Sequence, residues 1–249
     1  MPDVIFPGPS GRIEGRYSPG TGENPPVALI LHPHPLGGGS MQDRVTVQLY
    51  RIFMERGFST LRFNFRGVGR SQGTFDSGIG ELSDAAAAID WMQTLNPEAR
   101  ITWVAGYSFG AWIAMQLLMR RPEIDGFIAV SPPVTHYDLS FLAPCPASGL
   151  ILYGSKDTVS PPDDVERIVS RIRTQKNIKV DWQLVEGANH FYLNHLEQVE
   201  SMASNYLDDR LAAPPPPPLT RIKNDPKKIA AKEPEPEDEP ELEDLDDEE

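Results

Sequence analysis

Short runs of apolar, largely β-branched residues alternate along this chain with longer amphipathic stretches, and that alternation narrows the fold more than any other feature. The runs are Val27–Leu31, Thr60–Phe65, Ile101–Ala105, Gly126–Val130, Gly149–Tyr153 and Val180–Val185. Most are continuously apolar, which is the mark of strands covered by helices on both faces. Helical patterns fall between or after them at 44–56, 81–95, 109–121, 162–173 and 193–210. Val4–Phe6 and Arg12–Tyr17, broken by Gly and Pro, are expected to form an antiparallel edge hairpin. The expected fold class is therefore α/β: one mostly parallel twisted sheet, helices on both faces and a hairpin at its N-terminal edge.

With 249 residues, 39% of them hydrophobic, the chain can bury one sizeable core. The expected division is a folded domain over 1–211 and a tail over 212–249. The tail opens on Pro214–Pro218, a stiff polyproline spacer, and ends in a nearly continuous run of acid and Pro from Glu233. Too few apolar groups remain there to offset ordering entropy, so the tail is expected to be disordered. It serves as a solubilising tail or, in the second reading, as an anchor for a basic partner. The charge is uneven: of the formal −13, the tail carries −8 and the domain −5. An acidic domain argues against nucleic-acid binding. The single cysteine, Cys145, permits no intrachain disulfide, and neither a signal peptide nor an apolar run of membrane-spanning length is present, so a cytoplasmic, soluble protein with no membrane partner is expected.

The candidate chemistry centres on Gly106-Tyr107-Ser108-Phe109-Gly110. A Ser hydroxyl needs a base within hydrogen-bond reach, and the base needs an oriented partner. On α/β sheets this is met by a sharp strand–turn–helix elbow with Gly two positions either side of the Ser. The pattern occurs twice, because Gly69-Arg70-Ser71-Gln72-Gly73 also fits. Only Ser108 directly follows a strand and opens a helix; Ser71 sits in loop chemistry and is rejected as nucleophile. Asp157 and His190 follow in the order acid then base, each just past the C-terminal end of a strand, where such sites assemble. Asp138 is the rival acid.

Acyl transfer also needs two donors aimed at the developing oxyanion. Phe109 N–H, at the start of the helix after Ser108, is one. The loop His32-Pro33-His34-Pro35-Leu36-Gly37-Gly38-Gly39 supplies the other; its prolines have no N–H, so His34 is the first candidate and Leu36 the fallback. Leu36, Arg66, Arg70 and Phe75 are candidates for the substrate rim. His32 and His34 lack the further ligands a metal needs, and His136 and His195 point to no chemistry, so no metal and no cofactor are expected.

At these residues the chain resembles the α/β-hydrolase superfamily, and within it the small, lidless bacterial serine hydrolases related to dienelactone hydrolase and often called carboxylesterases. The resemblance covers roughly residues 4–210 and rests on LHPHPLGGGSM, LRFNFRGVGRSQG, GYSFGAW, RPEI, GSKD and GANHF. It implies Ser108, Asp157 and His190 as triad, His34 and Phe109 as oxyanion donors, and a small-molecule ester as substrate. Dienelactone hydrolases proper use a Cys nucleophile, so their particular substrate is not implied. Only about 18 residues separate Val130 from Gly149, too few for a helical cap, and a lidless site is expected to favour short, soluble acyl groups. The alternatives are a peptidase or amidase of the same fold, an acyltransferase, and a binding protein acting through its acidic tail.

Overall fold

The computed structural model describes residues 3–142, 145–172 and 178–213. Eight strands make one sheet: β1 Asp3–Gly8, β2 Gly11–Ser18, β3 Val27–Leu31, β4 Ser59–Phe63, β5 Thr102–Tyr107, β6 Gly126–Val130, β7 Ser148–Gly154 and β8 Val180–Val185. Five helices accompany them: α1 Arg44–Glu55, α2 Ile79–Leu95, α3 Phe109–Leu118, α4 Pro162–Ile172 and α5 Leu196–Ala212. The strand order is β1-β2-β4-β3-β5-β6-β7-β8. β1 and β2 form the expected antiparallel hairpin, β2 joins β4 antiparallel, and every pairing from β4 to β8 is parallel. This is the α/β-hydrolase fold, and residues 1–212 make up one compact unit.

The period-two geometry of the strands divides the core in two. On β3, Val27, Leu29 and Leu31 point to the face covered by α2, α3 and α4. Ala28 and Ile30 point to the face covered by α1 and α5. Burial on both faces explains why these strands read as unbroken apolar runs rather than alternating ones. Helix starts are chemically marked. Asp43 caps α1 by accepting from the Val45 and Thr46 amides (2.9 and 3.3 Å). Glu81, fully buried, reaches back at the start of α2 to accept from the Gly78 and Asp76 amides (2.7 and 3.0 Å).

Differences from the sequence expectation lie at element ends. β4 ends at Phe63 rather than Phe65, because His32 takes the Phe65 amide (3.0 Å) and removes it from the ladder. α3 stops at Leu118, three residues before the expected end, and α5 begins at Leu196 rather than 193, after a run of turns that carries His190. Between β6 and β7 the described residues hold a single 3₁₀ turn, Ser140–Leu142, and no helical cap. The expected tail lies outside the described residues from 214 onward. No helix among the described residues is long and apolar enough to cross a membrane.

Candidate active site

β5 runs through the middle of the sheet and ends at the first elbow. Ser108 adopts φ +54°, a left-handed conformation that a residue with a side chain rarely takes. Its amide is tied to Val130 O on β6 (2.9 Å), and its carbonyl accepts from Ala111 and Trp112 (2.9 and 3.2 Å), which starts α3. The two flanking glycines are dictated by close approach. A Cβ on Gly106 would meet the Gly110 carbonyl, and one on Gly110 would meet the Leu31 carbonyl on β3.

The turn aims Ser108 Oγ at His190 Nε2, 2.9 Å away. On the other side of the ring, His190 Nδ1 lies 2.9 and 3.1 Å from the two oxygens of Asp157. The three expected side chains are thus brought into one hydrogen-bonded line across the C-terminal ends of β5, β7 and β8. With Nδ1–H donated to a carboxylate, Nε2 is left as an acceptor for the Ser proton. Burial pushes the Asp157 carboxyl upward, but donation from His190, Ser131 and the Ser160 amide outweighs it, holding the group below its ordinary value. The rival Asp138 is far from this line in chemistry: its carboxylate is exposed and bonded to its own neighbour, Ser140.

The second elbow resolves as architecture. Ser71 is buried, donates to Asn64 O (2.6 Å) and accepts from the Glu14 amide (3.0 Å), so its hydroxyl ties the loop to β2.

The loop after β3 is tied together by its own hydrogen bonds. The His34 carbonyl accepts from both Gly37 and Gly39 (3.0 Å each), and His34 caps the 3₁₀ turn Pro35–Gly37 with Nδ1 accepting from the Leu36 amide (3.2 Å). Partial burial holds the His34 imidazole below its ordinary pKa, which suits that acceptor role. Leu36 N–H is therefore occupied and drops out as the alternative oxyanion donor. No acceptor among the described residues takes the His34 or Phe109 amides, and the two residues touch, ring centroids 5.0 Å apart.

Pro35, Leu36, Arg66, Gly67, Thr74 and Phe75 line an open cleft of about 290 Å³ beside this loop. Arg66, though in the cleft wall, is committed to Asp84 through Nε and Nη2 (3.0 and 2.7 Å). Arg70 is not part of the wall. Its guanidinium turns to the hairpin, to Glu14 (2.7 Å) and Asp3 (3.5 Å). His32 is fully buried between Pro33 O (2.7 Å) and the Phe65 amide (3.0 Å), so both ring nitrogens are used. No cluster of His, Cys, Asp and Glu suited to a metal occurs among the described residues.

Three site residues escape a reading of the sequence. Tyr107 OH donates to His190 O (2.6 Å), while Ser131 Oγ bonds both Asp157 Oδ2 and Tyr192 OH (2.6 Å each). Ser131 does follow an apolar run at a strand end, the position that singled out Asp157 and His190, but a lone Ser there has too many structural uses to be informative.

The family model for X-Pro dipeptidyl-peptidase (S15 family) matches residues 16–215. Protein RP471 of Rickettsia prowazekii is 51% identical over 211 residues, covering 83% of this chain and 89% of its own. Among solved structures, the protein ATU1826 from Agrobacterium tumefaciens is 55% identical with a TM-score of 0.83, covering 84% of this chain and 96% of its own. XC6422 from Xanthomonas campestris, an α/β serine hydrolase without a lid, is 26% identical with a TM-score of 0.74, covering 86% and 96% of the respective chains.

Proposed function

Because the chain belongs to the S15 family of α/β serine hydrolases, we propose that it hydrolyses carboxylic esters with short, uncharged acyl groups through an acyl-enzyme on Ser108. One observation carries the reading: the line Ser108 Oγ–His190 Nε2–His190 Nδ1–Asp157, with heavy-atom separations of 2.9 Å at both joints. Ser108 Oγ attacks the acyl carbonyl as His190 Nε2 takes its proton, and Asp157 holds the imidazolium that forms. The His34 and Phe109 amides donate to the tetrahedral oxyanion, the latter aided by its place at the start of α3. Collapse expels the alkoxide, protonated by His190 Nε2–H, and water then attacks the acyl-enzyme with His190 again as base. No step calls for a metal or cofactor.

The choice of ester over dipeptide rests on the cleft. A dipeptidyl-peptidase must anchor a substrate ammonium, which calls for a free carboxylate. No carboxylate is among the described residues lining the cleft, Asp76 beside it is turned to Arg66 at 3.9 Å, Glu81 is occupied by two backbone amides, and Arg66 is paired with Asp84. Leu36 and Phe75 offer apolar contact instead. The single buried thiol of Cys145 is in keeping with a reducing, cytoplasmic setting.

The test compares p-nitrophenyl acetate, butyrate and octanoate with an X-Pro p-nitroanilide, in wild type and Ser108→Ala, alongside labelling by a fluorophosphonate. Short esters should be cleaved best, and both labelling and turnover should vanish in the variant, with kcat lower by about 10⁵–10⁶. A higher kcat/KM on the X-Pro anilide than on any ester would overturn the substrate assignment. Undiminished labelling of Ser108→Ala would overturn the nucleophile.

A further inference from the structure

The Asp157 carboxylate has more donors than the His190 ring requires. Oδ1 accepts from the Val159 and Ser160 amides (2.9 and 2.8 Å). Oδ2, which makes the shorter contact to His190 Nδ1, also accepts from Ser131 Oγ at 2.6 Å. A carboxylate can only accept, so the one hydroxyl proton of Ser131 is committed to it. Ser131 Oγ must then accept from Tyr192 OH, 2.6 Å away. The hydrogen bonds therefore have a single direction: Tyr192 O–H to Ser131 Oγ–H to Asp157 Oδ2.

Both residues are fully buried. Both also hold left-handed backbone, φ +45° at Ser131 and +51° at Tyr192, a conformation that strains a residue with a side chain. Only four non-glycine residues among those described have positive φ, and Ser108 is a third. Strain of this kind persists where surrounding contacts over-determine it, and here it gathers around one hydrogen-bonded line.

The topology shows what the pair does. Ser131 directly follows β6, with its amide tied to Leu152 O on β7 (2.7 Å). Asp157 follows β7, while His190 and Tyr192 share the turn-rich loop after β8. That loop reaches the carboxylate twice, through His190 directly and through Tyr192 by way of Ser131. The result is a circuit, closed by the backbone from His190 to Tyr192, in which hydrogen bonds join three strand ends. A loop without a ladder of its own could otherwise shift the imidazole by an ångström, enough to misalign proton transfer.

We infer that Ser131 and Tyr192 are a positioning pair for the proposed hydrolysis, orienting Asp157 Oδ2 toward His190 and fastening the His190 loop to the acid's side of the sheet. Neither residue touches substrate. The inference rests on the Ser108–His190–Asp157 reading and extends it by two residues.

The test uses the full-length protein with Ser131→Gly, Tyr192→Phe and the double variant, assayed on a short p-nitrophenyl ester across pH. Glycine accepts the backbone at position 131 freely, so Ser131→Gly removes the hydroxyl while relieving strain. Loss of one hydrogen bond to a charged group should lower kcat/KM by about 10–100-fold in Ser131→Gly. The carboxylate, less neutralised, should hold His190 imidazolium more strongly, moving the acidic limb of the kcat/KM profile up by about 0.5–1 pH unit. Tyr192→Phe should lose less, and the double variant should match Ser131→Gly, since Tyr192 acts through Ser131. Wild-type rates and profile in Ser131→Gly would overturn the pair. So would additive losses in the double variant, or a rate loss that tracks a lowered melting temperature with an unmoved pH profile. Failure of the underlying reading is separately visible, as persistent turnover in Ser108→Ala.

Discussion

His32 makes the acid stability of this fold a measurable quantity. Its ring is fully buried, packed 4.6 Å from the Phe65 ring, with Nδ1–H donated to Pro33 O and Nε2 accepting from the Phe65 amide. A second proton would have to sit at Nε2, facing an N–H, on a ring wholly buried in the protein. Burial accordingly pushes the group from 6.5 down to about 3, the Pro33 bond opposing only in part. The folded chain therefore stays neutral at this site while the unfolded chain binds a proton below pH 6.5. Stability from His32 is complete above that value and is lost as pH falls toward about 3. Between pH 7.5 and 5 the unfolded state gains about 1.5 units of proton binding free energy, which is about 2 kcal/mol. Urea unfolding of wild type and His32→Gln at both pH values isolates the effect, because Gln keeps a donor and an acceptor but does not titrate. Wild type should lose about 2 kcal/mol more than the variant on acidification, whatever the other titratable groups contribute to both. Equal losses within about 0.5 kcal/mol would refute the argument that burial keeps this imidazole neutral.

Asp157→Asn should leave the fold in place but disturb the His190 tautomer, lowering kcat on a short ester by about 10⁴; a loss of less than tenfold would remove Asp157 as the acid. Asp84→Ala leaves the Arg66 guanidinium with only the 3.9 Å contact to the exposed Asp76 and should cost about 3 kcal/mol by urea denaturation. A cost below about 1 kcal/mol would mean water reaches Arg66 freely. Removing residues 213–249 should leave kcat/KM within about twofold of the full chain, and a larger drop would assign the tail a part in catalysis.

Much of the molecule was legible before folding, for physical reasons that are local. Burial on both faces of a parallel sheet demands continuous apolar runs, so β3 and β6 could be bounded in the sequence to the residue; β8, half-exposed at the sheet edge, was bounded as well although Asp181 and Gln183 break its run. The elbow demands small residues either side of a nucleophile, and strand-end loops place Asp157 and His190 in order along the chain. Element ends were less legible, because they are set by tertiary partners: His32 taking the Phe65 amide shortens β4. Of the four residues singled out for a rim, three, Leu36, Arg66 and Phe75, line the cleft beside the His34 loop. Arg70, an exposed cation with two acids within reach on the hairpin, is drawn away from it.

What the sequence determined by itself is the α/β sheet, its helical cover and a short list of residues able to carry acyl transfer, because hydrophobic period and turn chemistry act over a few residues. What only the tertiary structure decided is how each residue on that list is used. Two elbow motifs of the same pattern became one strained serine aimed at His190 and one buried tie between a loop and β2. Leu36 lost its amide to His34, and Ser131 and Tyr192 joined Asp157 in a circuit that no spacing announces. Those outcomes depend on angles and distances between strand ends far apart in the chain, which packing of the two half-cores sets and no local pattern encodes.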